Sequence, residues 1–427
     1  MTQPRGRTRP WLNWLADEGH ARAILVAVLV LAFALRLAAA LIIPIDYRLR
    51  DDALEYVADA RHLLELGVFG EEPGVPYATI PPGYPLFIAG VFALTDESLM
   101  AVRLVQVMLG TLIVGLIYLI GCEATSKRTS LLGALVGAVY PIWIIWPALF
   151  LTETLYTVLL LAFYWVLVRS IKVATAKRAL CSGAIFGLAL LTREVLFAFP
   201  LMLPIALWWS GVPWRQAGRY VLLFAVATLL VLSPWLARNY RTFGQAFYTE
   251  RTDAIRYQLT GSGYLAPRYE YLADEEAAPP LPKSAEHYER FGSSSDMMRI
   301  TNLFADPMTY LRRLVNRLVE FWLHPNGLEA LPGNFFIRAV YIVLHVGMLG
   351  LAGVGIFTYL KRRDIVVGGF ALLLIYATGS SLFFTNPNPR YTLPFLSLVF
   401  ILAAMGVGST WQFLRRKRAT GDSKAIG

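Results

Sequence analysis

Cysteine is almost missing from this chain: there are two, Cys122 and Cys181, in 427 residues. Neither a disulfide framework nor a thiolate metal site is suggested by so small and widely spaced a set. Histidine is scarce as well, and its five copies fall at no spacing that makes a zinc set. Charged residues are only 16% of the chain. There is no glycine-rich phosphate loop, no dinucleotide fingerprint and no convincing repeat in the hydropathy. Cytosolic nucleotide chemistry therefore has no visible home, and the sequence gives no reason to expect a cofactor or a metal.

What the chain has instead is apolar surface. Hydrophobic residues are 56% of it and the mean hydropathy is +0.53, outside the range of ordinary soluble domains. A run of roughly 20 apolar residues suffices to cross a bilayer as a helix. Ten stretches qualify, two of them short: 23–43, 100–121, 130–148, 151–169, 179–192, 195–210, 219–236, 335–360, 365–384 and 391–412. The expected fold is an all-α polytopic bundle of about ten transmembrane helices. The first apolar run is too long for a cleaved signal and reads as a membrane helix with a basic flank. PPGYPLFIAGVFAL, residues 81–94, is too short to cross and is expected to lie at the interface.

Charge sets the orientation, because Lys and Arg accumulate in short cytoplasmic loops. Residues 1–22, 122–130, 169–178, 211–219, 361–364 and 412–427 together hold 20 basic and 5 acidic residues, whereas 44–100 holds 3 basic and 10 acidic ones. The first group is expected inside and the second outside. Most of the net +10 is then an orientation signal and not a nucleic-acid surface. The expected organisation is a basic inner N-terminus (1–22), a transmembrane module (23–236) with an outer loop at 44–99, a long outer loop (237–334), further membrane helices (335–412) and a basic inner tail (413–427). The loop is too long for a simple connector and suggests a lid or binding element. Its stretch DPMTYLRRLVNRLVEFWL has helical apolar spacing and is expected along the membrane surface.

The candidate chemistry lies on the outer side. The adjacent acids Asp51 and Asp52 open a helix-like run that ends at Gly67; Glu153 sits in LTETLY, Arg193 in LLTREVLF, Arg238 in SPWLARNY and Arg390 in NPNPRYTLP. Each would be costly inside hydrocarbon, so each is expected to face protein or an aqueous cavity. Structural roles compete at every one. An Asp at this place is a good helix N-cap, Glu153 suits a helix N-terminus, and Arg193 could snorkel beside Glu194.

The order of these pieces, DDALEYVADA, PPGYPLFIAG, AVRLVQVMLG, LTETLY, LLTREVLF, SPWLARNYRTFG and NPRYTLP, resembles the GT-C membrane glycosyltransferases. The resemblance is to the superfamily of protein O-mannosyltransferases (glycosyltransferase family 39) and lipid A aminoarabinose transferases, in a smaller bacterial form. It implies an inverting hexosyl- or pentosyltransferase that moves a sugar from a polyprenyl-phosphate carrier to a hydroxyl on a glycan, lipid or protein. The reaction would take place at the outer face of the plasma membrane. Carried over, Asp51 becomes the general base with Asp52 as its neighbour. Arg193 and Arg390 become contacts to the donor phosphate. Glu153 would orient sugar or acceptor, and Tyr84 and Arg238 would also contact the donor. Some relatives have a Lys before the proline-rich segment, where this chain has Thr79 and Ile80, so a phosphate contact from that loop is not expected. A flippase of lipid-linked sugars is the rival class; it would call for ionisable residues near the midplane and paired halves with broken helices.

Overall fold

The computed structural model describes residues 18–47, 49, 52–70, 73–250, 252, 301–324, 335–361, 364–384 and 388–422. The regular structure of the described residues is helical, with no strand among them. In chain order the helices are α1 (Glu18–Ile42), α2 (Asp52–Leu66), α3 (Gly83–Thr95), α4 (Leu99–Ala124), α5 (Lys127–Val139), α6 (Pro141–Ile145), α7 (Glu153–Lys172), α8 (Ala176–Thr192), α9 (Leu203–Trp209) and α10 (Trp214–Phe243). They continue with α11 (Thr301–Ala305), α12 (Pro307–Leu323), α13 (Phe335–Leu360), α14 (Ile365–Phe384) and α15 (Leu393–Asp422).

Local chemistry sets the helix ends. Ser98, Ser126, Thr175 and Asp306 each accept a backbone N–H from the first turn of the following helix, as N-caps do. Gly244, at φ 73°, closes α10 in the left-handed region. Among the described residues seven helices are long and apolar enough to cross a membrane, and they coincide with seven of the ten stretches read from hydropathy. The other three differ. The stretch 130–148 is a pair of helices bent by 65° around Tyr140 and Pro141, since proline cannot donate to the carbonyl one turn back. The stretch 179–192 is α8, with 17 residues. The stretch 195–210 breaks into two 3-10 turns before α9, with Pro200 near the start of the second turn and Pro204 near the start of α9. α3, at 13 residues, spans about 20 Å and is too short to cross.

The helices pack with α15 in the middle. Leu393, Phe395, Leu396, Leu398, Phe400 and Leu402 are all fully buried. α13 lies so close that a side chain at Gly406 would overlap the Leu351 carbonyl and one at Gly355 the Leu402 carbonyl; small residues permit this contact in membrane bundles.

Arginine holds the bend between α5 and α6. Arg36, fully buried on α1, donates to the carbonyls of Gly137 at 2.9 Å and Ala138 at 3.1 Å. The Gly137 carbonyl is the one left without a helical partner by Pro141. Gly110 makes the approach possible, since a Cβ there would stand 3.0 Å from Arg36 and 2.8 Å from Pro147. The bend sends the chain through a 3-10 turn, Trp146–Ala148, into the start of α7. That start is Glu153. The 237–334 loop is described only at 237–250, 252 and 301–324, and α12 is the amphipathic helix expected there.

Candidate active site

The first residue of α7 is an acid sealed from solvent. Glu153 is 0% exposed, and its charge lies at a helix N-terminus, where the dipole favours it. A buried carboxylate needs cationic or hydrogen-bond partners, and Glu153 has them on both oxygens. Its Oε1 accepts from Arg193 Nη1 at 2.6 Å and from Arg390 Nε. Its Oε2 accepts from Trp146 Nε1 at 3.2 Å and, at 3.4 Å, from Arg390 Nη2.

The two arginines arrive from separate parts of the chain. Arg193 follows the last residue of α8, in extended backbone that turns the chain toward the next 3-10 turn. Its Nη1 also donates to Thr152 at 2.9 Å, and its guanidinium lies over the Tyr391 ring, 5.1 Å from the centroid. Arg390 sits in the 3-10 turn Pro389–Thr392 ahead of α15. Asn388 fixes that turn by accepting the Arg390 backbone N–H at 3.0 Å.

Arg390 then reaches outward. Its Nη1 donates to Asp52 Oδ2 at 2.6 Å, and Asp52 is the first residue of α2. Side-chain exposure rises along the chain of contacts: 0% at Glu153, 11% at Arg193, 21% at Arg390 and 49% at Asp52. The cluster is closed at Glu153 and open at Asp52.

Aromatic residues wall it. Tyr56 lies one turn on from Asp52 and is buried, with its ring edge-on to Tyr84 at 5.2 Å between centroids. Burial, and secondly the Asp52 charge, hold the Tyr56 phenol above the ordinary tyrosine range, against the pull of Arg390 and Arg193. It stays neutral, able to donate a hydrogen bond.

The structure brings together Asp52, Glu153, Arg193 and Arg390. Asp51 lies outside the described residues. Tyr84, expected to touch the donor, is fully buried beneath Tyr56 and donates to Gln106 Oε1 at 3.0 Å. Arg238 does not join the cluster. It donates to the carbonyls of Tyr77 and Phe69, each at 2.9 Å, and stacks on Phe69, Trp235 and Phe243. Backbone carbonyls of an irregular loop satisfy this cation as an acid would. Glu153, expected to orient sugar or acceptor, has both oxygens engaged by the two arginines and the Trp146 indole. Trp146, Tyr56 and Tyr391 were not singled out from the sequence; an aromatic in an apolar run carries no signal of its partner. Among the described residues no group of three or more His, Cys, Asp or Glu side chains could hold a metal ion.

Comparison with known proteins follows the same outline. Residues 79–237 match the dolichyl-phosphate-mannose-protein mannosyltransferase family. No curated protein matches the chain. Among solved structures, the oligosaccharyltransferase AglB from Archaeoglobus fulgidus, in complex with an inhibitory peptide and a dolichol-phosphate, superposes with a TM-score of 0.57 at 15% identity over 96% of this chain. The apo form of the Archaeoglobus fulgidus oligosaccharyltransferase gives 0.55, also at 15% identity and over 96% of this chain. This chain spans about half the length of those enzymes, 52% in both cases. ArnT from Cupriavidus metallidurans bound to undecaprenyl phosphate gives 0.43 at 14% identity, over 92% of this chain and 79% of that one.

Proposed function

We propose that this chain, a membrane glycosyltransferase of the GT-C fold, transfers a sugar from a polyprenyl-phosphate carrier to an acceptor hydroxyl, with inversion, at the extracytoplasmic face. The observation that supports this most is the position of Arg390, shared between the sealed Glu153 and the half-exposed Asp52. A guanidinium held on one side and accessible on the other is suited to a phosphate.

Asp52, and not the Asp51 that the resemblance implies, is the general base in this reading, because Asp52 is the acid that Arg390 contacts among the described residues. It takes the proton of the acceptor hydroxyl as the oxygen forms its bond to the anomeric carbon. The bond from that carbon to the phosphate oxygen breaks in the same displacement, which inverts the anomeric centre. Negative charge grows on the departing lipid phosphate, and Arg390, backed by Arg193, stabilises it. Glu153 fixes the two guanidiniums so that they need not reorganise. An incoming phosphate competes with Asp52 for Arg390 Nη1, so donor binding frees the carboxylate for the acceptor. Asp51, its neighbour in sequence, would position the acceptor.

The carrier and the sidedness rest on separate support. The archaeal oligosaccharyltransferase of similar fold was solved with a dolichol-phosphate, a lipid phosphate of the proposed class. The excess of basic residues in the loops at the opposite helix ends from the acid–arginine cluster supports an outward-facing site in a bacterial plasma membrane. The α5–α6 bend of 65° favours the flippase as a second reading, since transporters use broken helices.

Reconstitution in liposomes with radiolabelled polyprenyl-phosphate sugars and candidate acceptors tests both. Transfer that is lost in Asp52→Asn supports the enzyme. Label that crosses the bilayer without transfer supports the flippase.

A further inference from the structure

Two buried polar side chains on α4, Arg103 and Gln106, lie one turn apart and outside the acid–arginine cluster. Arg103 is 0% exposed, and both terminal nitrogens of its guanidinium are spent on carbonyls, whereas Nε has no hydrogen-bond partner among the described residues. Nη1 donates to Ala40 at 3.2 Å and Ile43 at 2.6 Å, and Nη2 donates to Pro44 at 2.7 Å and Ile45 at 3.4 Å. These carbonyls belong to the end of α1 and the chain leaving it, where helical partners run out. The Phe150 ring covers the group at 5.4 Å. Gln106 treats a second segment the same way. Its Nε2 donates to Pro147 at 3.2 Å and Leu149 at 2.8 Å, and its Oε1 accepts from Tyr84.

The two segments are the ones that deliver the site's acids. Ile45 lies seven residues before Asp52, and Leu149 lies four before Glu153. We propose that Arg103 and Gln106 are positioning residues that, from adjacent turns of one helix, set the Asp52 segment and the Glu153 segment in register so that Arg390 can bridge them. Charge alone does not do this. A guanidinium presents a planar fan of donors that serves several carbonyls at once, whereas an ammonium is a compact point charge. Lys in place of Arg103 keeps the cation and loses the fan.

The kinetic part of the test rests on the proposed glycosyl transfer; the structural part does not. Hydrogen exchange is measured on the full-length protein in lipid nanodiscs for wild type, Arg103→Lys and Gln106→Leu. Arg103→Lys is expected to speed exchange at residues 43–49 about tenfold, the effect of losing a bond of this kind, and to leave 149–157 unchanged. Gln106→Leu is expected to do the reverse. In the transfer assay Arg103→Lys lowers kcat by roughly 10²-fold, as a small misplacement of a catalytic group does, with the donor KM unchanged. Added to Asp52→Asn it lowers the residual rate no further.

Unchanged exchange at 43–49, or loosening spread over the whole bundle, overturns the proposal. So does an Arg103→Lys effect that multiplies fully with that of Asp52→Asn. If wild type transfers no sugar, the enzymatic reading fails, and exchange alone decides the positioning role.

Discussion

Arg390 donates through Nη1 to Asp52 at 2.6 Å and through Nε to Glu153, and so links the half-exposed acid of α2 to the sealed acid of α7. The two contacts differ in kind, because the Asp52 side chain is 49% exposed and that of Glu153 is 0% exposed. Water can replace the first and cannot reach the second.

That difference predicts unequal effects on stability. Glu153→Gln leaves two part-buried guanidiniums facing a neutral amide at a sealed position, and removing one member of a buried ion pair costs up to about 3–5 kcal/mol. Asp52→Asn breaks an accessible pair, worth about 0–1 kcal/mol. Thermal unfolding in detergent is expected to show a clear drop for Glu153→Gln and almost none for Asp52→Asn.

Arg390→Lys keeps a positive charge but cannot bridge both acids in the same geometry. It is expected to lower kcat roughly 10²- to 10³-fold, the loss seen when a preorganised charge-stabilising donor is removed, and to weaken donor binding. Initial rates over a range of polyprenyl-phosphate sugar concentrations measure both. A fully active Arg390→Lys would remove the phosphate role assigned here.

Arg238→Met separates a structural arginine from the site. Its partners are the carbonyls of Phe69 and Tyr77 and a set of aromatic rings. The substitution is expected to loosen the loop 69–77, seen as faster hydrogen exchange there, while the donor KM of the folded fraction stays at the wild-type value.

Stability is also expected to fall on the alkaline side. The phenols of Tyr56 and Tyr77 are held above the ordinary range, by burial first and by neighbouring carboxylates second. Unfolded tyrosines ionise near pH 10, so above that pH the unfolded state binds fewer protons than the folded one. Stability then declines as pH rises, by about 1.4 kcal/mol per unit for each such group. Chemical denaturation between pH 9 and 11 should show the decline, and Tyr56→Phe should make it shallower.

The fold was readable wherever apolar length decided it. Seven spans, the short apolar α3 and the amphipathic α12 follow from hydropathy and helical period alone. Breaks were harder to see: Pro141, Pro200 and Pro204 stand inside apolar runs, and hydropathy does not register a bend. The acids and arginines near helix ends were visible because charge beside hydrocarbon needs a reason, yet that argument could not tell Arg390, bound to two carboxylates, from Arg238, bound to carbonyls. Glu153 as the centre of two arginines depends on three distant segments meeting, which no local pattern encodes. Arg103 and Gln106 did leave a signal. Two polar residues three apart in AVRLVQVMLG, within a span, mark a buried polar face.

The measurement that tests the central claim most directly is single-turnover transfer of labelled sugar from a polyprenyl-phosphate donor by the reconstituted protein, with wild type, Asp51→Asn and Asp52→Asn compared. The account predicts an inverted glycosidic product from wild type, a partial loss in Asp51→Asn and a loss of at least about 10²-fold in Asp52→Asn, with the folded bundle intact. Transfer at the wild-type rate by Asp52→Asn, or a product of retained configuration, would contradict it.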